Sequence, residues 1–198
     1  MCYNPHEADF LAGLGFDNLL IGYPTVDIEG LNKIALQIKK GKKIICMVDE
    51  KEQIDILEKI AAKNEIVFPL CIDVDMSSSY LGFHFGVRRS PIKNTQDLVP
   101  LLTHILQSFN VRLEGLMGYE AQIAGVGDEA RKKFVKNKLI QFLKKKSTNE
   151  VSKKRNEIVK YIEKDGYQLE FVNGGGTGSI HTTAKEKVVT EVTVGSGF

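Results

Sequence analysis

The sequence lacks the features that would indicate a polyanionic or membrane partner. Its 27 Lys and Arg residues are nearly matched by 25 Asp and Glu residues, for a net charge of +2, so composition does not predict binding to nucleic acid. The longest apolar stretches are far shorter than a membrane span, and the first residues do not resemble a signal peptide. These absences predict a cytoplasmic protein that binds neither nucleic acid nor membrane.

Patterns for metal binding and for common nucleophiles are also missing. Cys2, Cys46 and Cys71 have no metal-ligand spacing, and two of them lie in apolar runs, which is typical of buried thiols in a reducing compartment. The four histidines show no paired spacing. There is no nucleophile elbow and no Walker loop, so the sequence predicts no metal site of its own.

A glycine-rich stretch stands out among what is present. The segment 172–179 reads VNGGGTGS and follows a short apolar run. Glycines allow sharp turns and close backbone approach, and the free N–H groups of such a loop can bind an anion at the carboxyl end of a strand. A flexible turn explains the same composition equally well. Segment 182–187 is a candidate for a short helix after the loop.

Apolar periodicity predicts strands that alternate with helices, which is typical of parallel pairing. A complete barrel takes about 250 residues, whereas this chain has 198. The predicted fold is therefore α/β, an incomplete TIM-type (β/α) barrel of about six parallel strands, with an open doubly wound sheet as the alternative. The predicted strands are 18–23, 43–48, 66–74, 113–119, 169–172 and 188–194.

Two further segments have less regular patterns. Segment 76–91 is predicted to be a long irregular connection. Beyond the fourth strand, two basic helical stretches are predicted around 135–143 and 158–162, with a break near 147–149. The basic excess between Arg131 and Lys154 is typical of a solvated helix face.

Polar residues end several predicted strands. The carboxyl ends of barrel strands form one rim, so residues far apart in sequence are expected to meet there. Each has an ordinary alternative as a capping or surface residue, but their common position favours a site. The rim residues are Tyr23, Asp75, Tyr119, Gln122, Asn173 and the glycine loop.

Several motifs, taken in order, resemble the alanine racemase-type, fold type III pyridoxal-phosphate enzymes. They are most similar to the D-threonine aldolase and D-serine dehydratase branch, described as predicted amino acid aldolases or racemases. The resemblance covers residues 1–198 as the central portion of the cofactor-binding barrel. The motifs are His6-Glu7-Ala8, Leu19 to Pro24, Cys71-Ile72-Asp73-Val74-Asp75, Gly86-Val87, Gly118-Tyr119-Glu120 and Asn173 to Gly178.

The resemblance implies pyridoxal 5′-phosphate as cofactor and a D- or β-hydroxy amino acid as substrate. It places the cofactor phosphate on the backbone of Gly175, Gly176 and Gly178 and on the Thr177 hydroxyl, with Tyr119 near the pyridine ring. His84 stands where family members commonly have an arginine. Arg88, just beyond Gly86-Val87, is the candidate to replace it.

The resemblance also implies parts with no counterpart in this sequence. The Schiff-base lysine of the family lies on a first barrel strand, before the segment that residues 6–15 match, and a C-terminal β domain carries a divalent metal in this branch. The catalytic residue is therefore unknown, and the chain alone is expected to be inactive. Apolar residues of strands 18–23 and 188–194 are expected to be exposed for lack of neighbours.

The resemblance leaves open a homodimer of the full-length form. Two other functional classes stay open beside the enzyme. One is a non-catalytic protein that binds a phosphate ligand or pyridoxal phosphate. The other is an open-sheet enzyme that acts on phosphate esters.

Overall fold

The computed structural model describes residues 1–80, 83–124 and 134–194, without the side chains at 80, 83, 122, 124 and 134–146. The chain separates into two compact units. The first comprises Met1–Asp73 and Gln96–Gly115, and the second comprises Val74–Thr95 and Leu116–Phe198. Among the described segments, no helix is both long and apolar enough to cross a membrane.

The first unit contains alternating strands and helices. Strands β2 and β3 are buried at every residue, as expected for parallel strands that are covered on both faces. Parallel pairing joins β1 to β2 and β2 to β3. The elements are α1 (Pro5–Gly13), β1 (Leu19–Leu20), α2 (Ile28–Lys39), β2 (Ile44–Val48), α3 (Lys51–Asn64), β3 (Phe68–Asp73) and most of α4 (Thr95–Gln107).

Polar caps fix the first helices of this unit. The Asn4 side chain accepts the Glu7 N–H at 2.9 Å at the start of α1. The Asp27 side chain accepts the Gly30 N–H at 3.1 Å at the start of α2. Each cap satisfies a backbone donor that has no partner within its helix, so the local sequence sets where these helices begin.

The second unit carries the later strands and a long helix. Strand β6 (Val111–Gly118) begins in the first unit and ends in the second. Strands β7 and β8 pair in parallel, and β4 and β5 form an antiparallel hairpin. The remaining elements are β4 (Ser78–Tyr80), β5 (Phe83–Phe85), α5 (Ala121–Ala124), α6 (Phe134–Lys164), β7 (Phe171–Gly174), α7 (Ile180–Thr183) and β8 (Glu191–Val192).

The main sheet has the strand order β1-β2-β3-β6-β7-β8. Apart from the hairpin, this is the order of the strands along the chain, without the reversal that defines the switch point of an open doubly wound sheet. It is the order of a (β/α) barrel, which closes with eight strands. The predicted incomplete barrel of six parallel strands is confirmed, including the neighbouring positions of β6 and β7.

Two local predictions are wrong. Segment 76–91 is not irregular throughout, because Ser78 pairs with Phe85 and Ser79 with His84 in the β4-β5 hairpin. The break predicted near 147–149 is absent, and α6 is continuous. Ser147 is fully buried, with its Oγ 3.5 Å from Ser78 Oγ, so tertiary contact outweighs the modest helix propensity of this segment.

The sequence predicted that apolar residues of both outer strands are exposed. This prediction is wrong for β1 and holds in part for β8. In the first unit, Leu19, Leu20 and Ile21 are buried. The Cys2 N–H donates to the Leu20 carbonyl at 2.7 Å, and Cys2 forms an isolated parallel β-bridge with Ile21. The N-terminal residues of the chain therefore cover this strand. In the second unit, Val192 of β8 is half-buried.

Candidate functional site

The glycine loop follows β7 and has a buried inner half and an exposed outer half. Gly174, Gly175 and Gly176 are buried, whereas Thr177 and Gly178 are exposed. Gly175 has a φ of 82°, in the left-handed region that favours glycine. A Cβ at Gly175 would lie 2.6 Å from the Cγ1 atom of a β8 valine, so this position requires glycine.

A buried carboxylate, that of Glu120, lies against the inner half of the loop. Its Oε2 atom accepts the Gly175 N–H at 3.0 Å and Arg155 Nη2 at 2.7 Å. Its Oε1 atom accepts the hydroxyls of Ser179, at 2.8 Å, and Thr183. A carboxylate has about four lone-pair positions, so Glu120 is fully satisfied and is itself an anion bound by the loop.

The Gly176 N–H is linked to the same carboxylate through the Ser179 hydroxyl. The Gly176 N–H donates to Ser179 Oγ at 3.0 Å, and that hydroxyl donates onward to Glu120. Ser179 is the N-cap residue of α7, yet its side chain caps no helix N–H. The N–H groups of Gly175 and Gly176 are therefore bonded, directly or through Ser179, to one buried carboxylate.

The cation opposite Glu120 is Arg155 of α6, which is completely buried. Its Nη2 atom also donates to the Gly118 carbonyl at 2.7 Å, and its Nη1 atom lies 2.5 Å from Glu186 Oε2. One guanidinium is thus shared by two carboxylates. Buried charges are stable only when they are paired, so the ion pairs and the hydrogen bond to Gly118 fix α6 to the end of β6.

Tyr119 lies beside Arg89, whereas the sequence indicated Arg88 as the candidate for a cofactor-binding arginine. The ring is half-buried, and the guanidinium carbon of Arg89 is 5.7 Å from its centroid, within the range of a cation–π contact. Arg88 is exposed. His84, also exposed, lies on β5 opposite Ser79. The cofactor role of Arg88 stays a prediction, and Arg89 is the arginine that contacts Tyr119.

Asp75, Asn173 and Tyr23 occupy different surroundings. Asp75 is fully buried and accepts the Ser77 N–H at 2.6 Å. Asn173 Nδ2 donates to Thr193 Oγ1 at 2.8 Å, which ties β7 to the chain after β8. Tyr23, in the first unit, is half-exposed with its ring centroid 5.4 Å from that of Tyr3. The Gln122 side chain lies outside the described residues.

Neither metal ligands nor reactive thiols emerge in the part of the chain that the structure describes. Within those ranges no group of three or more His, Cys, Asp or Glu side chains could hold a metal ion. All three cysteines are buried, and burial raises the pKa of the Cys46 thiol to about 12. A thiol that stays protonated is a poor nucleophile.

The sequence predicted the loop but not the groups that bind its inner half. Glu120 belonged to a family motif without an assigned role, and Arg155 follows directly after the stretch predicted to be a solvated helix face. The helical spacing of buried Val151, Ile158 and Ile162 places Arg155 on their face of α6. That spacing was the available signal for a buried arginine.

The loop is compatible with a phosphate at its outer half. Gly175 and Gly176 donate their N–H groups to protein acceptors, and their phosphate role stays a prediction. Thr177 and Gly178 are exposed at the loop tip, where one offers a hydroxyl and the other has no side chain to block an anion. These two residues are the part of the predicted phosphate site that is exposed to solvent.

Comparison with known proteins gives no matching family model. A curated relative is 3-hydroxy-D-aspartate aldolase from Paracoccus denitrificans (strain Pd 1222), 21% identical over 195 residues. That match covers 98% of this chain and 45% of the relative, so the chain spans about half the length of the curated relative it matches.

Solved structures show the same fold. D-threonine aldolase from Filomicrobium marinum matches with a TM-score of 0.81 at 20% identity, over 99% of this chain and 47% of its own. D-threo-3-hydroxyaspartate dehydratase from Delftia sp. HT23 matches with a TM-score of 0.70 at 14% identity, over 97% of this chain and 45% of its own. Alanine racemase from Clostridium difficile 630 matches with a TM-score of 0.69 at 14% identity, over 98% of this chain and 44% of its own. The resemblance to alanine racemase-type, fold type III enzymes is thus confirmed at the level of fold.

Proposed function

We propose that this chain is part of a pyridoxal-phosphate-dependent lyase or racemase that acts on D- or β-hydroxy amino acids. The observation that carries the proposal is the position of the glycine loop at the carboxyl end of β7, in a chain with the fold of D-threonine aldolase. Barrel enzymes place their active sites at this end of the strands, commonly with a loop that binds phosphate.

The residues of the loop tip and of the end of β6 would hold the cofactor. Pyridoxal phosphate, when bound, supplies an electron sink for the charge that develops on the amino acid. The Thr177 hydroxyl and the Gly178 N–H bind the phosphate in this proposal. Tyr119 packs near the pyridine ring, and Arg89 orients the Tyr119 side chain through the cation–π contact.

The reaction is proposed at the level of the substrate class. The names of the relatives include an aldolase, a dehydratase and a racemase, and the first two act on D-amino acids with a β-hydroxyl group. The resemblance assigns the Schiff-base lysine, and the divalent metal of the branch, to segments outside the matched residues. We therefore expect the 198-residue chain to bind the cofactor without turning over an amino acid.

A second candidate is a non-catalytic protein that binds pyridoxal phosphate or another phosphate ligand. The observation that favours it is the commitment of the Gly175 and Gly176 N–H groups to protein acceptors. The two candidates differ in the coding sequence on the amino-terminal side. A lysine-bearing strand encoded there supports the enzyme, and a genuine start codon at Met1 supports the binding protein.

Calorimetric titration of the full chain with pyridoxamine 5′-phosphate tests cofactor binding. This probe has no aldehyde and cannot form imines with surface lysines. Thr177→Val is expected to weaken binding by about 1–3 kcal/mol, because a hydrogen bond to a charged group is lost. Gly178→Ala is expected to weaken it as well, because a Cβ enters the space of the anion.

The controls isolate the phosphate and the loop. Thr103→Val removes an exposed hydroxyl that donates to the Val99 carbonyl within α4 and should leave the affinity unchanged. Pyridoxamine, which has no phosphate, should bind far more weakly than its phosphate ester. Equal affinity of the wild type and both loop variants would show that the loop is an ordinary turn and would remove the main support for the proposed function.

A further inference from the structure

We propose that Glu120 is a positioning residue whose carboxylate acts as a permanent internal anion in the inner half of the glycine loop. It thereby fixes the conformation in which Thr177 and Gly178 form the exposed tip of the loop. This inference deepens the proposed function and rests on it for the identity of the external ligand. The occupation of the inner half by Glu120 stands on the geometry alone.

The inner half of the loop is already an occupied anion site. The Gly175 N–H and the Ser179 hydroxyl both donate to Glu120, and Gly176 donates to Ser179. A ligand phosphate at these donors would have to displace a carboxylate that is completely buried. Such a displacement would leave a buried charge without its hydrogen bonds, which is costly.

The Glu120 carboxylate cannot easily leave its position in the loop. Arg155 holds Glu120 Oε2 at 2.7 Å and is itself bonded to the Gly118 carbonyl, also at 2.7 Å. Glu186, which is nearly buried, lies on the other side of the guanidinium. The carboxylate and the guanidinium thus fix the loop relative to the end of β6, next to Tyr119. The position of the exposed Thr177–Gly178 tip follows from this arrangement.

Two substitutions distinguish the loss of the Glu120 charge from the loss of the whole side chain. In Glu120→Gln, the amide oxygen can still accept from Gly175 and Arg155. The hydroxyls of Ser179 and Thr183 can rotate to accept from the amide N–H groups. Glu120→Ala removes every acceptor and leaves buried donors facing a space that formerly held a carboxylate. A small carboxylate such as acetate carries the missing group and can occupy that space.

The test is calorimetric titration of the full-length wild type, Glu120→Gln and Glu120→Ala with pyridoxamine 5′-phosphate. Circular dichroism first establishes that each variant is folded at the temperature used. We expect Glu120→Ala to bind at least about tenfold more weakly and Glu120→Gln to bind nearly as well as the wild type. Added acetate should restore the affinity of Glu120→Ala, and acetamide should do so in part because it carries the same acceptor oxygen, whereas chloride at equal concentration should not.

A second readout does not depend on the cofactor. The Gly175 amide signal in ¹H–¹⁵N spectra should move in Glu120→Ala and return toward its wild-type position when acetate is added. Wild-type affinity of folded Glu120→Ala, or an amide signal that acetate does not move, would overturn the inference. If the wild type fails to bind pyridoxamine 5′-phosphate, the proposed function fails, and the amide signal alone decides the role of Glu120.

A milder variant serves if Glu120→Ala does not fold. Ser179→Ala removes the acceptor of the Gly176 N–H and one donor to Glu120, while the contacts of Glu120 with Arg155 and Gly175 remain. Its affinity should fall by less than that expected for Glu120→Ala. Binding equal to that of the wild type in Ser179→Ala would also overturn the inference, because the loop would then not depend on its links to Glu120.

Discussion

Two buried glutamates, one in each compact unit, show how differently a carboxylate can be compensated. Glu114, on β6 in the first unit, contacts Lys43 at 3.0 Å and Arg112. These side chains are 36% and 65% exposed. Glu120, in the second unit, is paired with Arg155, and both side chains are completely buried. The first carboxylate is neutralised by groups that reach water, and the second by groups that do not.

The difference separates a buried carboxylate paired with exposed cations from a fully buried cluster that shapes a site. Because Lys43 and Arg112 reach water, they keep part of their hydration, and salt screens their attraction to Glu114. Arg155 has lost its hydration, so its stability depends on the groups it contacts. Three of the four donors to Glu120 belong to the glycine loop and to the helix α7 that follows it, namely Gly175, Ser179 and Thr183. The buried cluster therefore couples stability to the shape of the candidate site.

The largest expected effect comes from removing the buried cation. Arg155→Met would leave Glu120 and Glu186 without their shared counterion and should destabilise the protein by about 3–5 kcal/mol. The matched change Arg112→Met removes an exposed partner of Glu114 and should cost less, because Lys43 still pairs with that carboxylate. Urea unfolding followed by circular dichroism measures both. Similar losses for the two variants would show that burial does not distinguish the pairs.

Two glycines with a left-handed backbone, one in each unit, differ in the space around the α carbon. Gly41, after α2 in the first unit, has a φ of 91°, and a Cβ added there would meet no atom of the described residues within 4 Å. Gly41→Ala should therefore cost only the backbone strain, about 1 kcal/mol. Gly175→Ala adds a contact of 2.6 Å with Val192 Cγ1 and should cost more. The same unfolding measurement tests this order, and equal costs would mean that Val192 moves away freely.

The sequence predicted the parts of this molecule that depend on local pattern. Alternating apolar segments predicted the strand order, and composition predicted the glycine loop. The Glu120 cluster was not predicted, because its donors lie 35 to 63 residues away along the chain. Arg155 was missed because a charge on a basic helix ordinarily faces water. Only the packing of α6 against the end of β6 makes it a buried cation.

The smallest expected effect concerns the helix caps. Asp27 caps α2 in the first unit, whereas the Ser179 hydroxyl at the start of α7 is used by Glu120. The hydrogen bond from the Gly30 N–H lowers the pKa of Asp27, opposed by its partial burial and assisted by His6. A carboxyl whose pKa is lowered by folding stabilises the protein above the ordinary aspartate pKa of about 3.9, and this contribution is lost as pH falls through the lower folded value.

Asp27→Asn should therefore remove a small, acid-sensitive contribution to stability. The amide oxygen of asparagine can still accept the Gly30 N–H, since asparagine is also a good N-cap residue, but it does not titrate. The free energy of unfolding should be slightly lower in Asp27→Asn than in the wild type near neutral pH. The two values should converge as pH falls below the folded pKa of Asp27, where the wild-type side chain is also neutral. Urea unfolding at a series of pH values measures the difference, and a constant offset down to the lowest pH would show that the charge of Asp27 does not contribute.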